Sequence, residues 1–111
     1  MAYAYIQDVP ISAEIYRRIM EKIGPVPVAG LLLHLVVRKA DGTLRYIDVW
    51  ESKATHDEAF EKRIHPAVFA TFSEVGFQPS GEPTREELDV HELSTGPHGI
   101  AAKYGSDPVT A

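Results

Sequence analysis

The stretch Ile47-Asp48-Val49-Trp50-Glu51-Ser52 decides the fold of this chain. Polar and apolar side chains alternate up to Trp50, which predicts a β-strand, and a helix start follows at once. The preceding apolar run, residues 30–39, contains His34 and predicts a second strand. Between the two runs, Asp41-Gly42 predicts a tight hairpin turn. The sequence therefore predicts a sheet with one polar and aromatic face, where any chemistry should lie.

The register of this hairpin decides which side chains share a face. A three-residue loop that ends in Gly42 places His34 opposite Asp48 and Leu32 opposite Trp50, whereas a one-residue slip would exchange the two faces. The polar and aromatic face then carries Leu32, His34, Val36, Arg38, Tyr46, Asp48, Trp50 and Ser52. The other face is aliphatic, and we expect the helices to cover it. Its members are Leu31, Leu33, Leu35, Val37, Ile47 and Val49.

Two strands and a helix are predicted outside the hairpin. Residues 3–8 are typical of an edge strand, and residues 87–93 alternate in polarity like a fourth strand. Residues 12–23 carry apolar side chains every four positions, which indicates an amphipathic helix. Ser12 is its predicted N-cap, and Gly24-Pro25 its stop.

The second helical region is predicted to begin near Ser52 or Thr55, with a capping box over residues 55–58. Pro66 should kink or divide it after Arg63, and Gly76 should end it. Its apolar stripe has a spacing of four residues: Phe60, Ile64, Val68 and Phe72.

The element order is that of a ferredoxin-like βαββαβ domain, an α+β fold with a four-stranded antiparallel sheet. Two helices cover one face of such a sheet, and the face that carries His34 and Trp50 is too apolar to leave in water. We therefore predict a homodimer in which two subunits form a dimeric α+β barrel through that face. The domain is expected to span residues 1–93, followed by a flexible tail or dimer arm over residues 94–111.

Composition excludes several classes of partner. A formal net charge of −5 argues against nucleic acid, which needs a basic stripe. The longest apolar run, residues 30–37, falls far short of a membrane span. The chain has no cysteine and its first residues do not resemble a signal peptide, so we expect a cytoplasmic protein that binds no membrane.

A resemblance to a known family adds to this reading. The segments Leu33-His34, Asp41-Gly42, Asp48-Val49-Trp50-Glu51-Ser52, Ala59-Phe60 and Ile64-His65-Pro66-Ala67 resemble the dimeric α+β barrel superfamily. More narrowly, residues 3–93 are similar to small proteins of the antibiotic biosynthesis monooxygenase-like class. The group includes cofactor-free oxygenases, haem-degrading enzymes, isomerase-like proteins and members without a known role. The resemblance implies that Trp50 forms a flat wall for aromatic substrates.

The chain also departs from that resemblance. The asparagine that the cofactor-free oxygenases carry before the tryptophan is replaced by Tyr46 and Asp48. The histidine that binds haem in the haem-degrading branch would fall near Ala59, so we expect no haem. The sequence indicates no other cofactor.

The candidate catalytic pair is His34 and Asp48. A neutral imidazole oriented by a carboxylate is a general base near neutral pH, although a histidine that only fixes packing is the alternative. His34, His91 and an aspartate have the residue types of an iron site, but no local ligand motif exists, and we predict no metal. His56, His65 and His98 are expected at the surface.

These observations favour a cofactor-independent monooxygenase, or an enolising enzyme, that acts on a small aromatic or polyketide-like molecule. His34 and Asp48 are the predicted catalytic residues. The predicted substrate-binding residues are Trp50, Tyr46, His91, Arg38 and Leu32. The alternative is a non-enzymatic dimer that binds a small apolar ligand or has a structural role.

Overall fold

The structure of the chain is a computed structural model that describes residues 2–96, with four strands and three helices. A five-residue π-helical turn, Phe60–Ile64, joins the second and third helices. The elements are β1 (Tyr3–Val9), α1 (Ala13–Ile23), β2 (Leu31–Arg38), β3 (Leu44–Trp50), α2 (Lys53–Ala59), α3 (His65–Val75) and β4 (Arg85–Leu88). The sheet is antiparallel, in the order β2-β3-β1-β4. The predicted ferredoxin-like α+β plan is confirmed.

Two strand predictions need correction. β1 is not an edge strand, because it lies between β3 and β4. β4 covers Arg85–Leu88 rather than residues 87–93, and it pairs with β1. His91 therefore lies beyond the end of the sheet strand. Most of the predicted tail, residues 97–111, lies outside the described residues, so its role as a flexible tail or a dimer arm stays a prediction.

The hairpin forms with the predicted register. Lys39 N–H donates to the carbonyl of Thr43 at 2.8 Å, which leaves a three-residue loop ending at Gly42, and Gly42 has φ +88°. His34 lies opposite Asp48, as predicted. The register changes between Leu31 and Leu33, so Leu31 and not Leu32 lies opposite Trp50. This β-bulge leaves the side chain of Leu32 exposed to solvent.

The helix ends follow from local hydrogen bonds. Ser12 caps α1 by accepting from Ile15 N–H, and the α1 stripe of Ile15, Ile19 and Ile23 packs into the core. α2 begins one turn earlier than the predicted capping box, because Ser52 and Thr55 satisfy each other's backbone N–H groups.

The division of the second helical region is confirmed. Pro66 lies in the first turn of α3, where a missing N–H costs nothing, and Gly76 ends α3 in the left-handed conformation. The π-helical turn before it is closed by a hydrogen bond from His65 N–H to the carbonyl of Phe60.

The helices cover the opposite face of the sheet from the one predicted. Val36 and Tyr46 pack with residues of α1 and α3, and Trp50 packs with residues of α2 and the π-helical turn. The polar and aromatic face is therefore the inside of a single chain. The prediction that two subunits enclose His34 and Trp50 in a shared barrel cavity is therefore wrong.

The aliphatic face of the sheet is the uncovered one. Leu35 and Val37 remain 45% and 37% exposed, and Leu33 and Ile47 beside them are half-buried. We call these four residues the aliphatic face. No helix within residues 2–96 is long and apolar enough to cross a membrane.

Candidate functional site

A chain of hydrogen bonds runs between the sheet and α1. The Tyr16 hydroxyl lies 2.8 Å from Nε2 of His34, and His34 Nδ1 lies 2.6 Å from Oδ1 of Asp48. The Tyr5 hydroxyl donates to the other oxygen of Asp48 at 2.9 Å. Four side chains from α1, β2, β3 and β1 thus share one network, and we call it the tyrosine–histidine–aspartate chain.

The sheet register builds this chain. His34 and Tyr5 are the two cross-strand neighbours of Asp48, one on β2 and the other on β1. Neighbours directly opposite on antiparallel strands bring their Cβ atoms within about 5 Å of each other, within reach of a hydrogen bond. The buried carboxylate of Asp48 is thus partnered on both oxygens, which offsets much of the cost of its desolvation.

The hydrogen-bond partners of His34 determine which of its two ring nitrogens carries the proton. A carboxylate only accepts, so His34 Nδ1–H donates to Asp48 and the lone pair of Nε2 accepts from the Tyr16 hydroxyl. Burial raises the pKa of Tyr16, and burial together with the negative charge of Asp48 raises the pKa of Tyr5. Both phenols therefore remain protonated donors at neutral pH.

The imidazole of His34 is held between aromatic rings. The Tyr16 ring stacks on it at a centroid distance of 6.1 Å, and Tyr46 meets it edge-on at 5.3 Å. The side chain of His34 keeps some solvent exposure, whereas that of Asp48 is buried. A buried carboxylate thus orients an imidazole that reaches the edge of the core, which is the arrangement of a general base and its positioning group.

A second cluster adjoins the first through Tyr5 and surrounds His56. The His56 ring meets Trp50 edge-on at 5.1 Å and Tyr5 edge-on at 5.4 Å, and the Phe60 ring lies 4.0 Å from it. Trp50 and His56 are each only 1% exposed. Tyr3 closes the cluster at 5.1 Å from His56. We call these five residues the aromatic cluster.

Three buried nitrogens of this region have no hydrogen-bond partner among the described residues. They are Trp50 Nε1, His56 Nε2 and Arg85 Nε. The Arg85 guanidinium lies over the rings of Tyr5 and Phe60 at 5.3 Å and 5.0 Å, so it borders the same cluster. Unpartnered buried polar groups are few in folded proteins, and three in one place are unusual.

The structure brings together only part of the predicted site. His34, Asp48 and Tyr46 meet, and Trp50 lies in the adjoining aromatic cluster. Leu32 is turned outward by the bulge, and Arg38 is exposed at the end of β2. The position of Leu32 contradicts the predicted face, whereas Arg38 lies opposite the core residue Leu44 and so stays on the predicted face.

His91 is also separated from the other site residues. It is exposed beyond β4, whereas His34 lies on β2 at the opposite edge of the sheet. The alternative iron site built on these two histidines is therefore not assembled. Within residues 2–96, no three histidine, aspartate or glutamate side chains come together as a metal ligand set.

Sequence reasoning missed four residues, Tyr5, Tyr16, His56 and Arg85. His56 was expected at the surface, but it is buried because it lies four residues before Phe60, on the same helical stripe. That spacing was a signal that could have found it. Tyr16 lies on the apolar stripe of α1, where a phenol must find a polar partner on the covered sheet face.

Comparisons with known proteins give the fold. No known protein-family model matches the chain, and no curated protein sequence matches it. Among solved structures, it is similar to Rv0793 from Mycobacterium tuberculosis, with 18% identity and a TM-score of 0.57 over 86% of this chain and 100% of that one.

Two further structures carry a descriptive name. A putative antibiotic biosynthesis monooxygenase from Chloroflexus aurantiacus J-10-fl is 17% identical over 90% of this chain and 99% of its own, with a TM-score of 0.54. A second antibiotic biosynthesis monooxygenase is 17% identical over 81% of this chain and 98% of its own, also with a TM-score of 0.54. The chain therefore shares the fold of these three structures.

Proposed function

We propose that this protein is a small-molecule enzyme that removes an acidic proton from an aromatic or polyketide-like substrate and lets the resulting anion react with dioxygen. The observation that carries the proposal is the tyrosine–histidine–aspartate chain. His34 is the base, Asp48 orients and stabilises it, and Trp50 and Tyr46 bind the flat substrate. The similar structures named as antibiotic biosynthesis monooxygenases support the oxygenase class over other enolising enzymes.

The proposed reaction needs no external reductant, because the CH₂ carbon of the substrate supplies all four electrons that reduce dioxygen. His34 accepts a proton from an activated CH₂ group, and the carbanion reduces dioxygen to form a peroxide on the same carbon. Protonation gives a hydroperoxide, which loses water to leave a carbonyl. One CH₂ group and one O₂ thus become one C=O and one water. The apolar walls keep bulk water from the anion.

Tyr16 has a defined place in this reaction. Its hydroxyl occupies the lone pair of His34 Nε2 at 2.8 Å, so a substrate proton reaches the imidazole through that hydroxyl. Tyr16 accepts the substrate proton while it passes its own to His34. This concerted transfer avoids a free tyrosinate, which the raised pKa of Tyr16 disfavours.

The test separates proton abstraction from oxidation. A panel of polycyclic ketones and phenols with acidic CH₂ groups is incubated in D₂O without oxygen, and deuterium uptake is measured by mass spectrometry. Oxygen consumption is then followed in air. We expect His34→Ala and His34→Gln to lower both rates at least about 10²-fold, whereas His65→Ala, a half-buried histidine of α3, leaves them unchanged. Wild-type rates in folded His34 variants would contradict the proposal.

A second function is favoured by one observation. Trp50, Tyr5 and His56 fill the space beneath α2, since each is at most 1% exposed. A filled interior suits a non-enzymatic protein that binds a small apolar ligand or has a structural role. That function predicts thermal stabilisation by apolar ligands without deuterium uptake or oxygen consumption on any member of the panel.

Self-association belongs to the proposal as well. Two chains would pair through the aliphatic face, because Leu35 and Val37 leave apolar area in water that a second copy can cover. The homodimer would then form on the side of the sheet opposite the tyrosine–histidine–aspartate chain. Each subunit would keep its own site.

A further inference from the structure

We infer that Tyr5 is a positioning residue that keeps His34 an unprotonated base, because its hydroxyl holds the Asp48 carboxylate and takes a share of its negative charge. The Tyr5 hydroxyl donates to Asp48 Oδ2 at 2.9 Å, and His34 Nδ1 lies 2.6 Å from Oδ1 of the same carboxylate. Tyr5 thereby regulates the base of the proposed function, and its place in a reaction rests on that function. Its effect on the imidazole can be measured without any reaction.

The Tyr5 ring is held in one position by the aromatic cluster. It is fully buried, and the ring centres of His56 and Tyr3 lie 5.4 Å and 5.5 Å from its own. The guanidinium of Arg85 lies 5.3 Å from the ring centre. Because these neighbours fix the phenol, the carboxylate of Asp48 can turn only by giving up its hydrogen bond with Tyr5. Tyr5 thus fixes the carboxylate, and the carboxylate orients the imidazole.

The hydrogen bond from Tyr5 also weakens the attraction of Asp48 for a proton. Hydrogen bonds to a carboxylate favour its charged form, and such bonds are stronger than those between neutral groups. Without the hydroxyl, Oδ2 of this buried anion would lose its donor, and a proton on the His34–Asp48 pair would replace the lost stabilisation. Tyr5 therefore disfavours protonation of His34 through Asp48.

Tyr16 and Arg85 act in the same direction. The Tyr16 hydroxyl donates to the lone pair of His34 Nε2, and a protonated ring has no lone pair that could accept it. The Arg85 guanidinium places a positive charge over the Tyr5 ring, which makes the phenol a stronger donor and disfavours a second positive charge nearby. The titratable groups that surround the pair, directly or through Tyr5, come from five elements: Tyr3 and Tyr5 from β1, Tyr16 from α1, Tyr46 from β3, His56 from α2 and Arg85 from β4.

The experiment measures the affinity of His34 for a proton in the intact chain. The pH dependence of the His34 Cε1–H signal is followed by NMR, and the signal is assigned by its absence in His34→Gln. We expect Tyr5→Phe to raise this affinity at least about threefold, because the carboxylate loses a charge-assisted hydrogen bond. Asp48→Asn should lower the affinity. Tyr3→Phe is the matched control and should titrate like the wild type, since the Tyr3 hydroxyl lies in the same cluster but contacts Arg85 instead of Asp48.

The opposite directions expected for Tyr5→Phe and Asp48→Asn distinguish regulation from packing. Looser packing would move both variants towards the behaviour of a solvent-exposed histidine. Site-specific 3-fluorotyrosine at position 5 keeps the ring and makes its hydroxyl a stronger donor, so it should lower the affinity of His34 for a proton. This replacement decides the question if Tyr5→Phe does not fold.

The outcomes separate the role of Tyr5 from the proposed function. An unchanged affinity in folded Tyr5→Phe, or the same direction of change in Tyr5→Phe and Asp48→Asn, would overturn that role. Where deuterium uptake is found, Tyr5→Phe should fall further below the wild-type rate at about pH 6 than at about pH 8, because more of its His34 is protonated at the lower pH. Titrations that move as expected without deuterium uptake on any member of the panel refute only the enzyme.

Discussion

His34 Nδ1 and Asp48 Oδ1 lie 2.6 Å apart on adjacent strands, where the two residues face each other directly. The other oxygen of Asp48 accepts from Tyr5, so the carboxylate has a donor on each side. A substitution of Asp48 therefore removes the acceptor of one or both of these donors.

Asp48→Asn should lower both stability and the rate of proton abstraction. The amide is close in shape but presents an NH₂ group to one of two donors, which we expect to cost about 2–3 kcal/mol in the free energy of unfolding. Without a carboxylate, His34 becomes a weaker base, and deuterium uptake should fall about 10²-fold. Urea unfolding and the deuterium assay measure these effects. Asp8→Asn, at an exposed carboxylate, is the control, and an unchanged rate in Asp48→Asn would rule out the pair.

Tyr16→Phe tests the route of the proton. Removing the hydroxyl interrupts the path to His34 Nε2, and we expect about a 10²-fold lower deuterium uptake with a stability loss of about 1 kcal/mol. A rate equal to or above that of the wild type would mean that a substrate group takes the place of the Tyr16 hydroxyl. Tyr46→Phe, which keeps the ring beside His34, separates packing from proton transfer.

The hairpin shows what the sequence could predict and what it could not. Turn chemistry at Asp41-Gly42 was enough to place His34 opposite Asp48, because the loop length sets the register. The bulge at Leu31–Leu33 has no signal in an unbroken aliphatic run, so the outward position of Leu32 could not be foreseen.

The covered face of the sheet was predicted wrongly for a related reason. Alternation sorts side chains into two faces but does not say which face the helices take, and the handedness of the crossovers decides that. Polarity suggested that the aliphatic set should be covered. The helices cover the polar set instead, and its burial is tolerated because Tyr16, His34, Asp48 and Tyr5 satisfy one another's hydrogen bonds.

Gly30→Ala should be more harmful than Gly42→Ala. Both glycines have φ near +90°, so each substitution should cost about 1 kcal/mol for the left-handed backbone. A Cβ at Gly30 would also lie 2.6 Å from Thr55 Cβ, whereas nothing lies within 4 Å of one at Gly42. Because Thr55 belongs to the capping box of α2, we expect about 2 kcal/mol of additional loss. Equal urea midpoints for the two variants would show that α2 can move away from the new methyl group without a loss of stability.

Leu35→Lys should dissociate the proposed dimer. A charge at the centre of the aliphatic face would be buried without a partner, and we expect the dissociation constant to rise at least about 100-fold. Light scattering coupled to size exclusion reports the mass in solution. Phe69→Lys is the matched control, because Phe69 is an apolar residue 62% exposed on α3, away from the sheet. A wild-type protein that is monomeric at high concentration would contradict the proposed pairing.

The buried imidazole of His56 should make stability depend on pH. Desolvation lowers its pKa in the folded state, so the unfolded chain binds a proton more readily and the folded state is favoured less as pH falls below about 6.5. The full contribution is present above that pH, and its loss is bounded by about 1.4 kcal/mol per pH unit.

The comparison of wild type with His56→Phe isolates this effect between pH 7.5 and pH 5.5. The ordinary pKa values of Asp and Glu lie below this window, and the pKa of Asp8 is lowered further, to about 2, by its hydrogen bond with Arg45. We expect the wild type to lose more free energy of unfolding than His56→Phe over this range, as measured by urea titration at each pH. Parallel pH profiles for the two proteins would mean that folding leaves the pKa of His56 unchanged, so that burial does not disfavour its protonated ring.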